Sequence, residues 1–277
     1  MTIPYPRISP VLVRIGPFAI RWYGVMYVLG YLVGYRLIRD RVARGLIVLS
    51  PAELDALIGY LLVGMLVGAR LTYALVYQPG HYRDDPGELL RIWHGGLSFH
   101  GALVGMTLAT LLFGRIHHVP FLQLADTLAL AGPPGLGFGR LGNFINGELY
   151  GRVTHVPWAM VFPTDPEHLP RHPSQLYEAL AEGLVLFLLI RWLERRAVTR
   201  GSYRPGLLAA AFLVGYGVFR FLIEFTRQPD EQLGFVLGPF SMGQLLCTFM
   251  ILAGVTLASF IHAGSSRGQL TESGGPC

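Results

Sequence analysis

Seven runs of apolar residues divide the chain, each close to the roughly 20 residues that carry an α-helix across a bilayer: Phe18 to Ile38, Leu54 to Tyr77, Leu97 to Gly114, Phe121 to Phe138, Gln175 to Trp192, Pro205 to Phe225 and Phe240 to Phe260. Charged residues make up 14% of the 277 positions, against about a quarter in soluble domains. Hydrophobic residues reach 52%. The expected fold is therefore all-α, a polytopic integral membrane protein of about seven transmembrane helices. Residues 1–263 should form one transmembrane domain, followed by a Ser- and Gly-rich tail, 264–277, expected to be disordered and cytoplasmic.

Two stretches depart from simple helix. Gly132, Pro133, Pro134, Gly135, Gly137 and Gly139 would break a regular helix unless surrounding protein satisfied the freed backbone groups, and a helix broken at membrane depth usually lines a site. The connection from about Gly139 to Pro173, between the fourth and fifth helices, is too long for a turn and reads as a small folded cap or arm on the outer face, with Pro173 suited to the first turn of the next helix.

All 22 basic residues are arginine, and their placement sets orientation, because short cytoplasmic loops are rich in positive charge. Arg36, Arg39, Arg41 and Arg44 crowd one connection, Arg115 stands in a second, and Arg191, Arg195, Arg196, Arg200 and Arg204 fill a third. These alternate connections should be cytoplasmic. The mixed-sign connections (Arg83, Asp84, Asp85, Glu88 and Arg91; Arg227, Asp230 and Glu231) belong outside, which puts the N-terminus outside and the C-terminus inside, although Arg7, Arg14 and Arg21 oppose that assignment. The N-terminus lacks the short apolar core and cleavage site of a signal peptide. Cys247 and Cys277 indicate no disulfide framework, and no metal site is expected.

Ionisable groups in apolar runs are costly, so each is a functional candidate that needs a partner. In the sixth run Tyr216, Arg220 and Glu224 follow at intervals of four, with Arg227 three further, so one helical face carries them all. Arg220 and Glu224 can neutralise each other, either as a structural lock or as part of a site. A second cluster is Gly139-Arg140-Leu141-Gly142-Asn143-Phe144-Ile145-Asn146-Gly147-Glu148, followed by Gly151-Arg152. An arginine fork flanked by asparagine amides suits a phosphate or carboxylate; the bland alternative is a glycine-rich turn whose arginine snorkels to the interface. A third is His94-Gly95-Gly96-Leu97-Ser98-Phe99-His100-Gly101, where His100 suits a general base near neutral pH or a structural hydrogen bond. Tyr23, Arg70 with Tyr73, and His172-Pro173-Ser174-Gln175-Leu176-Tyr177-Glu178 are further candidates. Gly64 and Gly68 form a small-xxx-small pair that marks close helix packing.

These clusters, in this order and spacing, together with Gly215-Tyr216-Gly217-Val218-Phe219-Arg220 and Arg227-Gln228-Pro229-Asp230, resemble the motifs of the prolipoprotein diacylglyceryl transferases. The resemblance extends from Trp22-Tyr23-Gly24 to Ser241-Met242-Gly243-Gln244 and departs from the family pattern at His94. It implies transfer of a diacylglyceryl group from phosphatidylglycerol to the lipobox cysteine of prolipoprotein signal peptides, at the exterior leaflet of a bacterial inner membrane. It also implies His100, Arg140, Arg220 and Tyr23 as catalytic residues, and Arg140, Asn143, Asn146, Glu148, Tyr216, Arg220, Glu224 and His172 as residues that bind phosphatidylglycerol. No cofactor and no nucleic-acid partner are implied. Two other classes use the same residue types, a transporter or channel for an organic anion and a purely structural or binding membrane protein, and a lipid-phosphate hydrolase is the nearest enzymatic alternative.

Overall fold

In the computed structural model residues 2–6, 8–228, 235–237 and 240–272 are described, with side chains for all of these except 235–237 and 264–272. Arg7, Asp230, Glu231 and the last part of the expected tail, 273–277, lie outside the described residues.

The chain opens with a hairpin of β1 (Val11–Ile15) and β2 (Phe18–Arg21), with Ile15 opposite Phe18 and Val13 opposite Ile20. The two-residue connection needs a positive φ at its first position, and Gly16 supplies it at 57°. Helix α1 (Trp22–Ala43) follows, so Phe18, expected to begin the first helix, lies in a strand. The reason is local. Val-Leu-Val-Arg-Ile is rich in β-branched residues, which favour strands, and Gly-Pro turns the chain back before the helix begins.

Helix α2 (Pro51–Thr72) starts at a complete capping box, in which Ser50 accepts from the Glu53 amide while the Glu53 carboxylate accepts from the Ser50 amide. It runs on as a π-helical turn, Tyr73–Tyr77. A short helix, Pro79–Asp84, and two 3₁₀ turns, Pro86–Leu90 and Ile92–His94, lead to α3 (Phe99–Ile116), N-capped by Ser98. Helix α4 (Phe121–Asn146) contains Pro133 and Pro134 yet is continuous, and it passes the expected end at Phe138 by two turns. Helix α5 is Ser174–Glu178, a π-helical stretch Ala179–Val185 and Leu186–Thr199 in unbroken succession. Helices α6 (Leu207–Ile223) and α7 (Met242–Glu272) complete the described chain. Two further pairings, β3 (Met160–Val161) with β4 (Pro170–Arg171) and β5 (Phe235–Leu237) with β6 (Phe240–Ser241), are antiparallel. The fold is thus mostly helical with small β pairings rather than purely all-α. Among the described residues three helices are long and apolar enough to cross a membrane, Pro51–Tyr77, Phe99–Ile116 and Met242–Ala263, and Leu207–Ile223 is a shorter apolar one.

Two compact units share the chain. One comprises residues 38–125. Within it α2 and α3 approach through glycine: a Cβ on Gly64 would lie 2.6 Å from the Ala109 Cβ, and one on Gly68 would lie 2.7 Å from the Gly105 Cα. The small-xxx-small pair is a packing device, as its spacing indicates. Ile47, Leu57, Phe113 and Leu124 form the unit's buried core.

The other unit comprises residues 1–37 and 126–277. Here Gly135 and Gly137 of α4 serve packing rather than breakage. A Cβ on Gly30 of α1 would come within 3.1 Å of the Gly135 Cα, and one on Gly137 within 3.1 Å of the Gly183 Cα in α5. Any larger residue would push these helices apart. Asp126, fully buried near the start of α4, fixes α6. It accepts from the backbone N–H groups of Gly206 and Ala209 at 2.9 and 2.8 Å and from the Tyr203 hydroxyl at 2.6 Å. A carboxylate supplied from another helix therefore satisfies the orphan donors of the α6 N-terminus.

Candidate functional site

Glu178, at the start of α5 and fully buried, gathers three arginines from two other elements. Arg140 of α4 reaches its Oε2 through Nε at 2.7 Å, and Arg220 of α6 reaches the same oxygen through Nη1 at 3.1 Å. Arg227, just beyond α6, donates Nη1 to Oε1 at 2.6 Å. Glu224 forms a second bridge, 2.9 Å from Arg220 Nη2 and 3.5 Å from Arg227 Nε. Ser241, at the entry to α7, donates its hydroxyl to Glu224 Oε1 at 3.1 Å. The face read from the sequence, Arg220, Glu224 and Arg227, is therefore real. Its missing member was Glu178, which no local spacing links to α6.

The guanidiniums differ in what they have left to give. Arg220 spends both terminal nitrogens on carboxylates. Arg140 engages Glu178 through Nε, and its two terminal nitrogens have no partner among the described residues. That edge is a bidentate donor for an oxyanion. Tyr216 lies within electrostatic reach of Arg140, Arg220, Glu178 and Glu182. Glu182, one turn beyond Glu178 in the π-helical stretch, is buried with neither carboxylate oxygen hydrogen-bonded among the described residues. Such wide turns recur at functional sites.

One helical turn away along α4 lies a second polar layer. Asn143 and Asn146 donate their amides to Glu148 Oε1 at 2.9 and 3.1 Å, and Gln175 donates Nε2 to the Glu148 carbonyl at 2.7 Å. Glu148 thus holds the two asparagines rather than Arg140. Tyr23 of α1 stands beside Asn143 and Glu148, and a Cβ on Gly142 would come within 2.8 Å of its ring. His172 lies elsewhere, on the segment before α5. Its Nδ1 is 3.2 Å from the Tyr177 hydroxyl, which also accepts from the Trp158 indole at 2.6 Å. Burial holds its imidazole below the usual histidine range.

That segment carries its own ion pair. Arg171 grips Asp165 with Nε at 2.5 Å and Nη2 at 3.0 Å, and its guanidinium lies 5.1 Å from the Tyr150 ring centre. The Arg171 guanidinium holds the Asp165 carboxyl below the usual carboxylate range. Gly151 lies between the segment's end and Arg227: its N–H donates to the His172 carbonyl at 2.8 Å, and the next N–H, of Arg152, to the Thr226 carbonyl at 2.8 Å. This pairing positions the arginine that closes on Glu178.

His100 belongs to the other unit, exposed in the first turn of α3. The loop before it is held by Arg70, whose side chain donates to the carbonyls of Glu88, Leu89, Arg91, Gly95 and Gly96. Arg70 is consumed by loop carbonyls, a structural clamp rather than a ligand site. His94 places Nδ1 3.1 Å from Glu88. Among the described residues no group of three or more His, Cys, Asp or Glu side chains is arranged to hold a metal ion.

A model of the prolipoprotein diacylglyceryl transferase family matches residues 10–260. The chain belongs to that family. The phosphatidylglycerol–prolipoprotein diacylglyceryl transferase of Bordetella bronchiseptica is 48% identical over 266 residues, spanning 96% of this chain and 100% of that protein. Proteins of the same name from Methylococcus capsulatus and Geobacter sulfurreducens are 47% and 48% identical, over 95% and 93% of this chain and 99% and 96% of their own lengths. The family member is a transferase of membrane character, and the transporter and hydrolase alternatives fall away.

Proposed function

We propose that this chain transfers the diacylglyceryl group of phosphatidylglycerol to the lipobox cysteine of prolipoproteins, releasing glycerol phosphate. The observation that carries this reading is likeness over 93–96% of the chain to proteins of that name. The site agrees with the chemistry. The thiol sulfur attacks the terminal glycerol carbon of the diacylglyceryl group, a carbon–sulfur bond forms, and the carbon–oxygen bond to phosphate breaks with its electron pair leaving on oxygen. A diester becomes a monoester, so negative charge grows on the phosphate and needs donors already in place.

Arg140 takes the phosphate oxygens through its unengaged edge, held in aim by Glu178. Arg220 and Arg227, fixed by Glu178 and Glu224, supply the surrounding positive field. Tyr23 and Tyr216 flank the head group. The proposed acceptor of the thiol proton is His100, because the thiolate is the reacting form. The His172–Tyr177–Trp158 chain braces the rim of the head-group site. Seven helices, α1 to α7, cross the bacterial inner membrane with the N-terminus outside, the C-terminus inside and the site facing the exterior leaflet, as the arginine-rich alternate connections favour. Residues 147–173 form the exterior arm.

The purified protein, mixed with phosphatidylglycerol and a peptide bearing a lipobox cysteine, should yield a diacylglyceryl thioether and an equal amount of glycerol phosphate by mass spectrometry. Folded protein that yields neither refutes the assignment.

A further inference from the structure

The Glu148 layer contains polar atoms that the fold itself does not use. Gln175 is fully buried, and its Nε2 donates to the Glu148 carbonyl at 2.7 Å. A carbonyl only accepts, so the amide orientation is determined and Oε1 is the other end. That oxygen has no hydrogen-bond partner among the described residues. Asn146 repeats the pattern: Nδ2 donates to Glu148 Oε1 at 3.1 Å, and buried Oδ1 has no partner among the described residues. An unmade bond at a buried acceptor is costly, so paired orphans of one polarity point to a donor that arrives with a ligand.

Their position says which ligand. Gln175 lies three residues before Glu178 on α5, and Asn143 and Asn146 lie three and six after Arg140 on α4, so along the helix axes Gln175 and Asn143 are about one turn, roughly 5 Å, from the Arg140–Glu178 level and Asn146 nearly two turns, roughly 9 Å. A phosphate on Arg140 would therefore extend its alcohol substituent toward the acceptors, and the one-turn distance suits a three-carbon chain with hydroxyls near its end. An ammonium head group also donates, but it would enter beside three guanidiniums.

Building on the transfer reaction proposed above, we propose that Gln175, with Asn146 and Glu148, reads the hydroxyl groups of the phosphatidylglycerol head group and sets the preference for that lipid over other phosphodiesters. Gln175 is a specificity-determining residue, and its Oε1 accepts a glycerol hydroxyl.

The test compares kcat/KM for three lipids with identical acyl chains: phosphatidylglycerol, phosphatidylpropanol, which has the same head-group length without hydroxyls, and phosphatidylethanolamine. One hydrogen bond in such a site is worth about 2- to 12-fold and two about 10- to 100-fold. The wild-type protein should favour phosphatidylglycerol over phosphatidylpropanol by about 10- to 100-fold. Gln175→Met, which keeps side-chain length, should lower that ratio by about 10-fold, and Asn146→Ala should lower it in the same direction. A purely structural role for either residue would slow both lipids alike and keep the ratio, which overturns the proposal. So does a wild-type ratio near one, or phosphatidylethanolamine used as well as phosphatidylglycerol. If Gln175→Met does not fold, the Asn146→Ala ratio decides. Wild-type protein that makes thioether from none of the three lipids brings down the transfer reaction itself, and this inference with it.

Discussion

Replacing Glu178 by Gln keeps the side chain's shape and removes the charge on which three guanidiniums converge. The carboxylate is fully buried, and its contacts run from 2.6 to 3.1 Å. A hydrogen bond to a charged group contributes about 1.5–3 kcal/mol, and removing one partner of a buried ion pair costs about 3–5 kcal/mol. The three contacts do not add in full, because Arg220 and Arg227 keep Glu224. Arg140 keeps no carboxylate at ion-pair distance among the described residues, and the new amide turns an N–H₂ toward one of the cations. The expected loss is about 3–5 kcal/mol, which for a domain of this size lowers Tm by roughly 6–20 °C. Thermal unfolding in detergent, followed by tryptophan fluorescence, measures it. Added phosphatidylglycerol should raise the Tm of the variant more than that of the wild type, because the lipid phosphate takes the place of the missing carboxylate. A variant that melts within about 2 °C of wild type, with no larger response to lipid, would refute Glu178 as the hub.

Arg140→Lys should lose turnover by about 100-fold or more while folding normally, because one ammonium cannot hold Glu178 and also offer a two-toothed edge to phosphate; single-turnover thioether formation reads this, and wild-type rates would contradict the assignment. Asp126→Asn should lower stability by about 1–2 kcal/mol through weaker capping of α6, seen as a lower Tm, with a larger loss for Asp126→Ala. The Asp165–Arg171 pair should respond to acid in one direction only. Because the folded Asp165 pKa is depressed, its stabilisation is fully present above the unfolded value of about 3.9 and is lost as pH falls through the lower folded value; amide exchange across residues 147–173 should therefore stay slow at pH 5 and quicken only below about pH 4, and loosening at pH 6 would rule this pair out as the cause.

Much of the helical skeleton was legible because a bilayer-length apolar run leaves a strong signal, and Leu54–Tyr77 falls within the observed Pro51–Tyr77. The departures have physical causes. Hydropathy does not separate β1 and β2 from α1, since Val, Ile and Phe are apolar in either state; the β-branched run and the Gly-Pro turn were the available clues. In α4 the proline pair and the glycines suggested a break, but two glycines there permit close approach, with Gly135 against Gly30 and Gly137 against Gly183. Glycine reads as a breaker only while the neighbouring helix is unknown.

The site was legible where its geometry is local. Arg220, Glu224 and Arg227 share one helical face by spacing alone, and their contacts follow the i,i+4 and i,i+3 rule. Glu178 is different in kind, because its partners lie 38, 42 and 49 positions away in sequence. The costliness of a charge in an apolar run still marks it, since Glu178 and Glu182 both fall inside Gln175–Trp192. Carried through, that rule demands a cationic partner for each carboxylate, and Arg220 within one neighbouring run and Arg140 just beyond another were already candidates. What no such rule supplies is the division of labour between them. Arg220 is saturated by carboxylates and Arg140 is not, a difference visible only once the nitrogens can be counted against their acceptors, and it is the ground for proposing Arg140 as the phosphate ligand.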